Sequence, residues 1–147
     1  MEKGILVKEG IVLNVASESK DKAIERVGKL LIDGGYVKDN YIEGMKAREE
    51  EVTTYMGNGV AIPHGMNEYK KEILETGIVI AQYPNGVDFG EGNTAYIVIG
   101  IAGKGDEHME ILSQIALTIQ YEENVEKLRN AKTPEEIMEI ISEEGEM

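Results

Sequence analysis

Three side chains carry most of the chemistry that this sequence offers: His64, His108 and Arg48. His64 closes the run Gly57-Asn58-Gly59-Val60-Ala61-Ile62-Pro63 and is followed by Gly65. Pro63 fixes its own φ and biases Ile62 towards an extended conformation. Glycine permits positive φ and lets another group approach the main chain closely. The segment therefore reads as a short strand, Val60 to Ile62, that ends abruptly and presents an imidazole. A neutral imidazole is a base, a metal ligand or a nucleophile, and it accepts a phosphoryl group because its nitrogen leaves well once the ring is reprotonated. Phosphoryl transfer needs donors for the oxygens and in-line access more than covalent help. His64 would be the nucleophile, Arg48 a charge-assisted donor and His108 a neutral one, with backbone N–H groups near Gly57 and Gly59 adding more. A single histidine is more often a packing residue than a catalytic one, so the residue types alone leave this reading open.

Other chemistries find less support. No G-x-S-x-G elbow is present, which removes the commonest serine hydrolase signature. There is no P-loop and no dinucleotide fingerprint. The two histidines lack the close i, i+4 type of spacing of strong zinc motifs, so neither a metal nor a cofactor is expected. The chain has no cysteine, which excludes disulfide scaffolds, thiolate metal sites and cysteine nucleophiles together. A formal charge of −13 repels phosphate backbones, so no nucleic-acid partner is expected. The acidity serves solubility, or it steers a basic protein partner. With no tryptophan and one phenylalanine, stacking platforms for bases or sugars are poorly supplied.

The elements that must position these residues follow from the hydrophobic pattern. At 147 residues the chain reads as one domain over 1–147, large enough for a substantial core. A β-prone piece runs from Ile11 to Val15. Ser17 or Ser19 then caps a helix whose stripe is Ala23, Ile24, Val27, Leu30 and Leu31, and Gly34-Gly35 stops it. Asp39 or Asn40 caps a second helix, Tyr41 to Glu50. There Tyr41, Met45, Arg48 and Val52 fall in one phase, while Lys46, Glu49, Glu50 and Glu51 do not all fit it. A guanidinium near a buried face needs a partner, which is either an internal salt bridge or an anion bound beside His64. Glu75 to Ala81 reads as a strand, followed by a turn at Pro84-Asn85-Gly86 and a β-like Val87 to Gly90. Tyr96 to Ala102 is a continuous β-branched apolar run, which suits a central strand covered on both faces. Gly103 to Asp106 breaks it, Asp106 caps a helix, and His108 lies in the first turn ahead of the stripe Ile111, Leu112, Ile115, Ala116 and Ile119. The second histidine thus stands at a strand–loop–helix junction, where α/β proteins place ligand sites and where the helix dipole favours the neutral ring. Asn124 to Leu128 is helical. Thr133-Pro134-Glu135-Glu136 is a capping box opening a last helix, and 142–147 reads as a frayed acidic tail. The sum is an α/β domain: a mixed sheet of about five short strands with helices on both faces.

The segment from Arg48 to Gly65 resembles the phosphorylation-site motif of the enzyme IIA components of the bacterial phosphoenolpyruvate-dependent sugar phosphotransferase system, mannitol/fructose type. Gly34 to Val37, Gln82 to Gly90 and Val98 to Ala102 leading to Glu107-His108 extend the likeness over nearly the whole chain. The Gln82-Tyr83-Pro84 segment and Glu107-His108 point, within that family, to its mannitol branch. The resemblance implies a phosphotransferase with a phosphohistidine intermediate. His64 would accept a phosphoryl group from the carrier protein HPr and pass it to a cysteine of an enzyme IIB, which works with an IIC membrane permease. Arg48 and His108 would stabilise the phosphoryl oxygens. The missing cysteine fits, since the acceptor thiol would belong to IIB. No apolar run approaches the ~20 residues of a membrane span, and the N-terminus lacks a signal-peptide pattern, so a separate cytoplasmic protein without direct membrane insertion is expected. A fructose-type or nitrogen-related regulatory IIA is the alternative within the family. Outside it stand a hydrolase or metal protein using both histidines, and a purely structural interaction domain.

Overall fold

The computed structural model describes residues 6–65, 67–104 and 107–145. Five strands form one mixed sheet: β1 (Ile11–Val12), β2 (Tyr55–Gly57), β3 (Val60–Ala61), β4 (Gly77–Asp88) and β5 (Thr94–Ala102), in the order β1-β4-β5-β3-β2. The apolar run read as a central strand is β5, at the middle of the sheet. It pairs antiparallel with β4 and parallel with β3. The β3–β5 register sets Val60 against Ile97 and Ala61 against Val98, and it continues to His64 against Ile101. His64 therefore lies at the carboxyl end of two parallel strands.

Helices cover both faces, as the pattern predicts. On one face α1 (Lys20–Asp33) and α2 (Tyr41–Glu51) pack Ala23, Ile24, Val27, Leu31, Tyr41 and Met45 over Val79, Ala81, Val98 and Ala102. On the other, α3 (Glu107–Ile119), α4 (Glu122–Asn130) and α5 (Pro134–Gly145) pack Ile115, Leu128, Ile137 and Ile141 over Ile78, Ile80, Ile97, Ile99 and Ile101. The split follows the period of two along each strand, which sends alternate residues to opposite layers. The α1 face is built of smaller residues, so the helix comes close. A Cβ on Gly100 would lie 2.9 Å from Cβ of Val27.

Local signals place most element ends. Ser19 accepts a hydrogen bond from the Lys22 N–H at the start of α1. At α5 the Thr133 hydroxyl accepts from the Glu136 N–H while the Glu136 carboxylate accepts from the Thr133 N–H, the reciprocal pair of a capping box. The backbone of α5 stays helical through Gly145, past the point where the acidic tail was set; the side chains of 142–147 lie outside the described residues.

Three expectations are corrected. Pro84-Asn85-Gly86 is not a turn between strands but a bulge inside the twelve-residue β4, where the register shifts between Gln82 and Val87. Side chains supply the bonds that the ladder loses there: Ser17 donates to Gly86 O and Arg129 to Pro84 O. The chain reverses later, through Gly90, Glu91 and Gly92, all at positive φ. With twelve and nine residues, β4 and β5 are also longer than the short strands expected. The β-prone run 11–15 gives only two strand residues, because Asn14 adopts φ 57° and its N–H turns to the Gln82 side chain. We expect Gly100→Ala to destabilise the fold by about 1–3 kcal/mol through overpacking, read as a lower urea midpoint.

Candidate functional site

The His64 ring is held by its own backbone. Nδ1 lies 2.8 Å from the carbonyl oxygen of Ile62. A carbonyl only accepts, so Nδ1 carries the hydrogen and Nε2 the lone pair. The residue is 8% exposed. Burial pushes its pKa below the ordinary histidine value, and the positive Arg48 guanidinium adds to this; the Ile62 hydrogen bond and the Glu49 carboxylate work in the opposite direction. The ring is therefore neutral at pH 7, with its nucleophilic nitrogen defined.

The strand end that carries the ring is pinned at each successive peptide. Ile62 N–H donates to Thr54 O at 3.0 Å, and Ile101 N–H donates to Pro63 O at 3.0 Å. Gly65 N–H donates to the Tyr41 hydroxyl at 2.9 Å, and that hydroxyl donates to Ile101 O at 2.9 Å. Tyr41 thus ties the residue after His64 to the strand beside it. Gly65 is needed for this, since a Cβ there would meet the Tyr41 ring at 2.6 Å. Burial pushes the Tyr41 phenol up to about 12, so it stays protonated and able to donate.

Arg48 is half-buried, and its Nη1 donates to Val52 O at 2.5 Å across the C-terminus of α2. Of the two partners considered for it, no internal salt bridge to Arg48 is seen among the described residues. The residue buried on this side of α2 is Glu49, at 6% exposure, while Val52 is exposed. Glu49 follows Met45 by four residues and Tyr41 by eight, which puts it squarely on their face. Arg48 sits at the margin, where its long stem reaches back to the helix end.

The backbone of His108 falls in the first turn of α3, as its spacing predicts. Its side chain, and the Asp106 cap, lie outside the described residues. Gly57 and Gly59 do not contribute donors to the His64 site. They form the β2–β3 turn at positive φ, and Gly59 N–H is taken by the Tyr55 hydroxyl. His64 follows Gly59 by five positions, which is about 16 Å at the rise of a strand. Sequence reasoning missed the supporting roles of Tyr41, Glu49 and Thr54. The i, i+4, i+8 spacing of Tyr41, Met45 and Glu49 is the signal that was available.

A neutral imidazole with one nitrogen anchored, next to a guanidinium, is the equipment of a protein that carries an acyl or phosphoryl group. Comparison with known proteins narrows this class. The family model for the phosphoenolpyruvate-dependent sugar phosphotransferase system, EIIA 2, matches residues 4–144, and the chain belongs to that family. It is a phosphotransferase component. A Bacillus subtilis protein named mannitol-specific phosphotransferase enzyme IIA component is 52% identical over 95% of this chain and 97% of its own length. The protein of the same name from Geobacillus stearothermophilus is 50% identical over 97% and 99%. Among solved structures, enzyme IIA of the Escherichia coli mannitol system in complex with phosphorylated enzyme IIB superposes with a TM-score of 0.87 at 36% identity, covering 92% of this chain and 95% of that one. The nitrogen regulatory protein IIA of Neisseria meningitidis gives 0.77 at 26%, covering 93% and 96%. Among the described residues, no helix is long and apolar enough to cross a membrane.

Tyr41→Phe leaves Gly65 N–H and Ile101 O without their shared partner. We expect a loss of about 1–3 kcal/mol in chemical denaturation, with faster amide exchange at Gly65.

Proposed function

We propose that this chain carries a phosphoryl group on Nε2 of His64 in mannitol uptake. It accepts the group from phosphorylated HPr and passes it to a cysteine of enzyme IIB, whose IIC partner is the membrane permease, and it works in the cytoplasm. The observation that carries this reading is the Nδ1 hydrogen bond to Ile62 O, which directs the lone pair to Nε2. In the first transfer the Nε2–P bond forms as the N–P bond of the donor histidine breaks, and the donor nitrogen keeps the electron pair. The proton on Nδ1 stays in place. The ring becomes cationic as the bond forms, and the Ile62 carbonyl dipole stabilises that charge where it develops. The same proton makes Nε2 a good leaving group in the second transfer, when a thiolate of IIB attacks phosphorus.

Arg48 supplies positive charge for the phosphoryl oxygens by exchanging Val52 O for the bound group, and His108 supplies a further donor from the start of α3. The net charge of −13 suits a carrier with a basic face. What supports the mannitol branch over the nitrogen-related regulatory one is that the Bacillus subtilis and Geobacillus stearothermophilus proteins named for mannitol are 52% and 50% identical to this chain, against 26% for the regulatory structure.

Incubation with phosphoenolpyruvate, enzyme I and HPr should add one acid-labile phosphoryl group to the intact mass of the native chain and none to His64→Ala. A native chain that gains nothing, under conditions that phosphorylate HPr, ends the proposal. The pH dependence follows from the lowered His64 pKa. Protonation removes the nucleophile, so acceptance from HPr should be level above the ordinary value of about 6.5 and fall only as pH drops through the lower folded-state value. Folding stability from this group is likewise fully present above about 6.5 and is lost as pH falls from there through the lower folded-state value, because the unfolded chain binds the proton first. Resolved NMR titration of His64 reads both.

A further inference from the structure

Glu49 is a costly residue where it stands. Its side chain is 3% exposed, and among the described residues its one ion pair is with Lys20 Nζ at 3.6 Å. Among the described residues Oε2 has no hydrogen-bond partner. A buried carboxylate so thinly partnered gives little net stability, and an apolar side chain four residues after Met45 would complete the helix face without that penalty. What Glu49 does instead is hold one residue twice. Its Oε1 accepts from Thr54 N–H at 2.8 Å and from Thr54 Oγ1 at 2.6 Å. Thr54 is 4% exposed. Its carbonyl accepts from Ile62 N–H at 3.0 Å, and Ile62 O accepts from His64 Nδ1 at 2.8 Å.

We infer that Glu49 is a positioning residue for the phosphoryl acceptor, acting through Thr54 and Ile62 on the His64 ring. The inference rests on the reading of His64 given above and adds a residue to it. The two bonds at Thr54 fix both its backbone and its χ1. Its carbonyl then fixes the Ala61–Ile62 peptide through the Ile62 N–H, and Pro63 leaves the next peptide, which carries the Ile62 carbonyl, little freedom to compensate. The position of the Ile62 carbonyl decides which imidazole nitrogen holds the hydrogen and where Nε2 points. Glu49 thereby sets the tautomer and aim of a ring that it does not touch.

The test uses the full chain with Glu49→Ala, Glu49→Gln and Thr54→Val. Long-range 15N–1H NMR of the histidine rings reads the tautomer, and single-turnover transfer from phosphorylated HPr reads the rate and the KM separately. The wild type should show the Nδ1–H form alone. Glu49→Ala should mix the tautomers and slow transfer by ~10-fold or more, with KM little changed, since small misplacement of a reacting group is expensive. Glu49→Gln keeps an oxygen that accepts both Thr54 bonds and should restore the tautomer and most of the rate. Thr54→Val keeps the N–H and loses the hydroxyl, and should fall between. A pure Nδ1–H ring and wild-type rate in Glu49→Ala overturn the inference, as does a Glu49→Gln protein no better than Glu49→Ala. Should Glu49→Ala fail to fold by circular dichroism, Thr54→Val decides: an unchanged tautomer and rate there refute the role. If the wild type accepts no phosphoryl group, the proposed function falls, while the tautomer comparison still decides this point.

Discussion

The hydrogen bond from His64 Nδ1 to the carbonyl of Ile62 is the constraint on which the proposed phosphoryl chemistry depends. An imidazole on a loop samples two tautomers and several rotamers. Here the acceptor is two residues back in the same chain, and that chain is extended by Pro63 and seated against β5. The ring is thereby committed to one tautomer. Burial keeps it neutral, so the nucleophile is present without a separate general base. Little reorganisation remains to be done when a phosphoryl donor arrives, which is the main requirement of a transfer that needs positioning more than driving force.

The same strand end explains the architecture around it. β5 is buried on both faces and offers a straight register to which β3 is matched as far as His64 and Ile101. One layer of helices is close-packed on small residues and the other on isoleucines. Between them the sheet has little freedom to move, and the site inherits that rigidity. Helix α2 then reaches the site from two points of one face. Tyr41 holds the peptide after His64, and Glu49 holds the strand that holds Ile62. Lys46 ties α2 in turn to Asp21 and Glu25 of α1.

The electrostatics are divided in the same way. The chain as a whole is strongly acidic, yet the charge that faces the histidine is mixed. Arg48 lowers its proton affinity and Glu49 raises it, and burial outweighs both. Arg48 donates to a helix-terminal carbonyl, and among the described residues no acid pairs with it. A guanidinium held by one neutral acceptor costs less to redirect towards a phosphoryl group than one in a salt bridge, because no carboxylate is left behind unpaired.

The sequence by itself determined most of the elements and singled out the imidazole proposed to react. Period-two and period-3.6 patterns, the Ser19 cap and the Thr133–Glu136 box placed the helices and the central strand, because each of these signals acts within a few residues. The Pro63-His64-Gly65 setting marked the imidazole for the same reason: proline and glycine constrain the backbone wherever they stand. Other features depended on residues far apart in the chain. Pro84-Asn85-Gly86 has the composition of a turn, and only Ser17 and Arg129, brought from elsewhere, let it remain inside a strand. Arg48 and Glu49 are neighbours in sequence; the pattern from Tyr41 and Met45 runs on to Arg48 and Val52, whereas the structure buries Glu49, exposes Val52 and leaves Arg48 at the margin. Thr54 and Lys20 made the inward place suitable for the acid. The nitrogen that carries the lone pair is likewise invisible in the sequence, since it is set by a carbonyl whose direction is fixed through Thr54 and β5. Local constraints on φ and periodicity are written residue by residue, whereas the partners of a buried polar group exist only once the chain has closed around it.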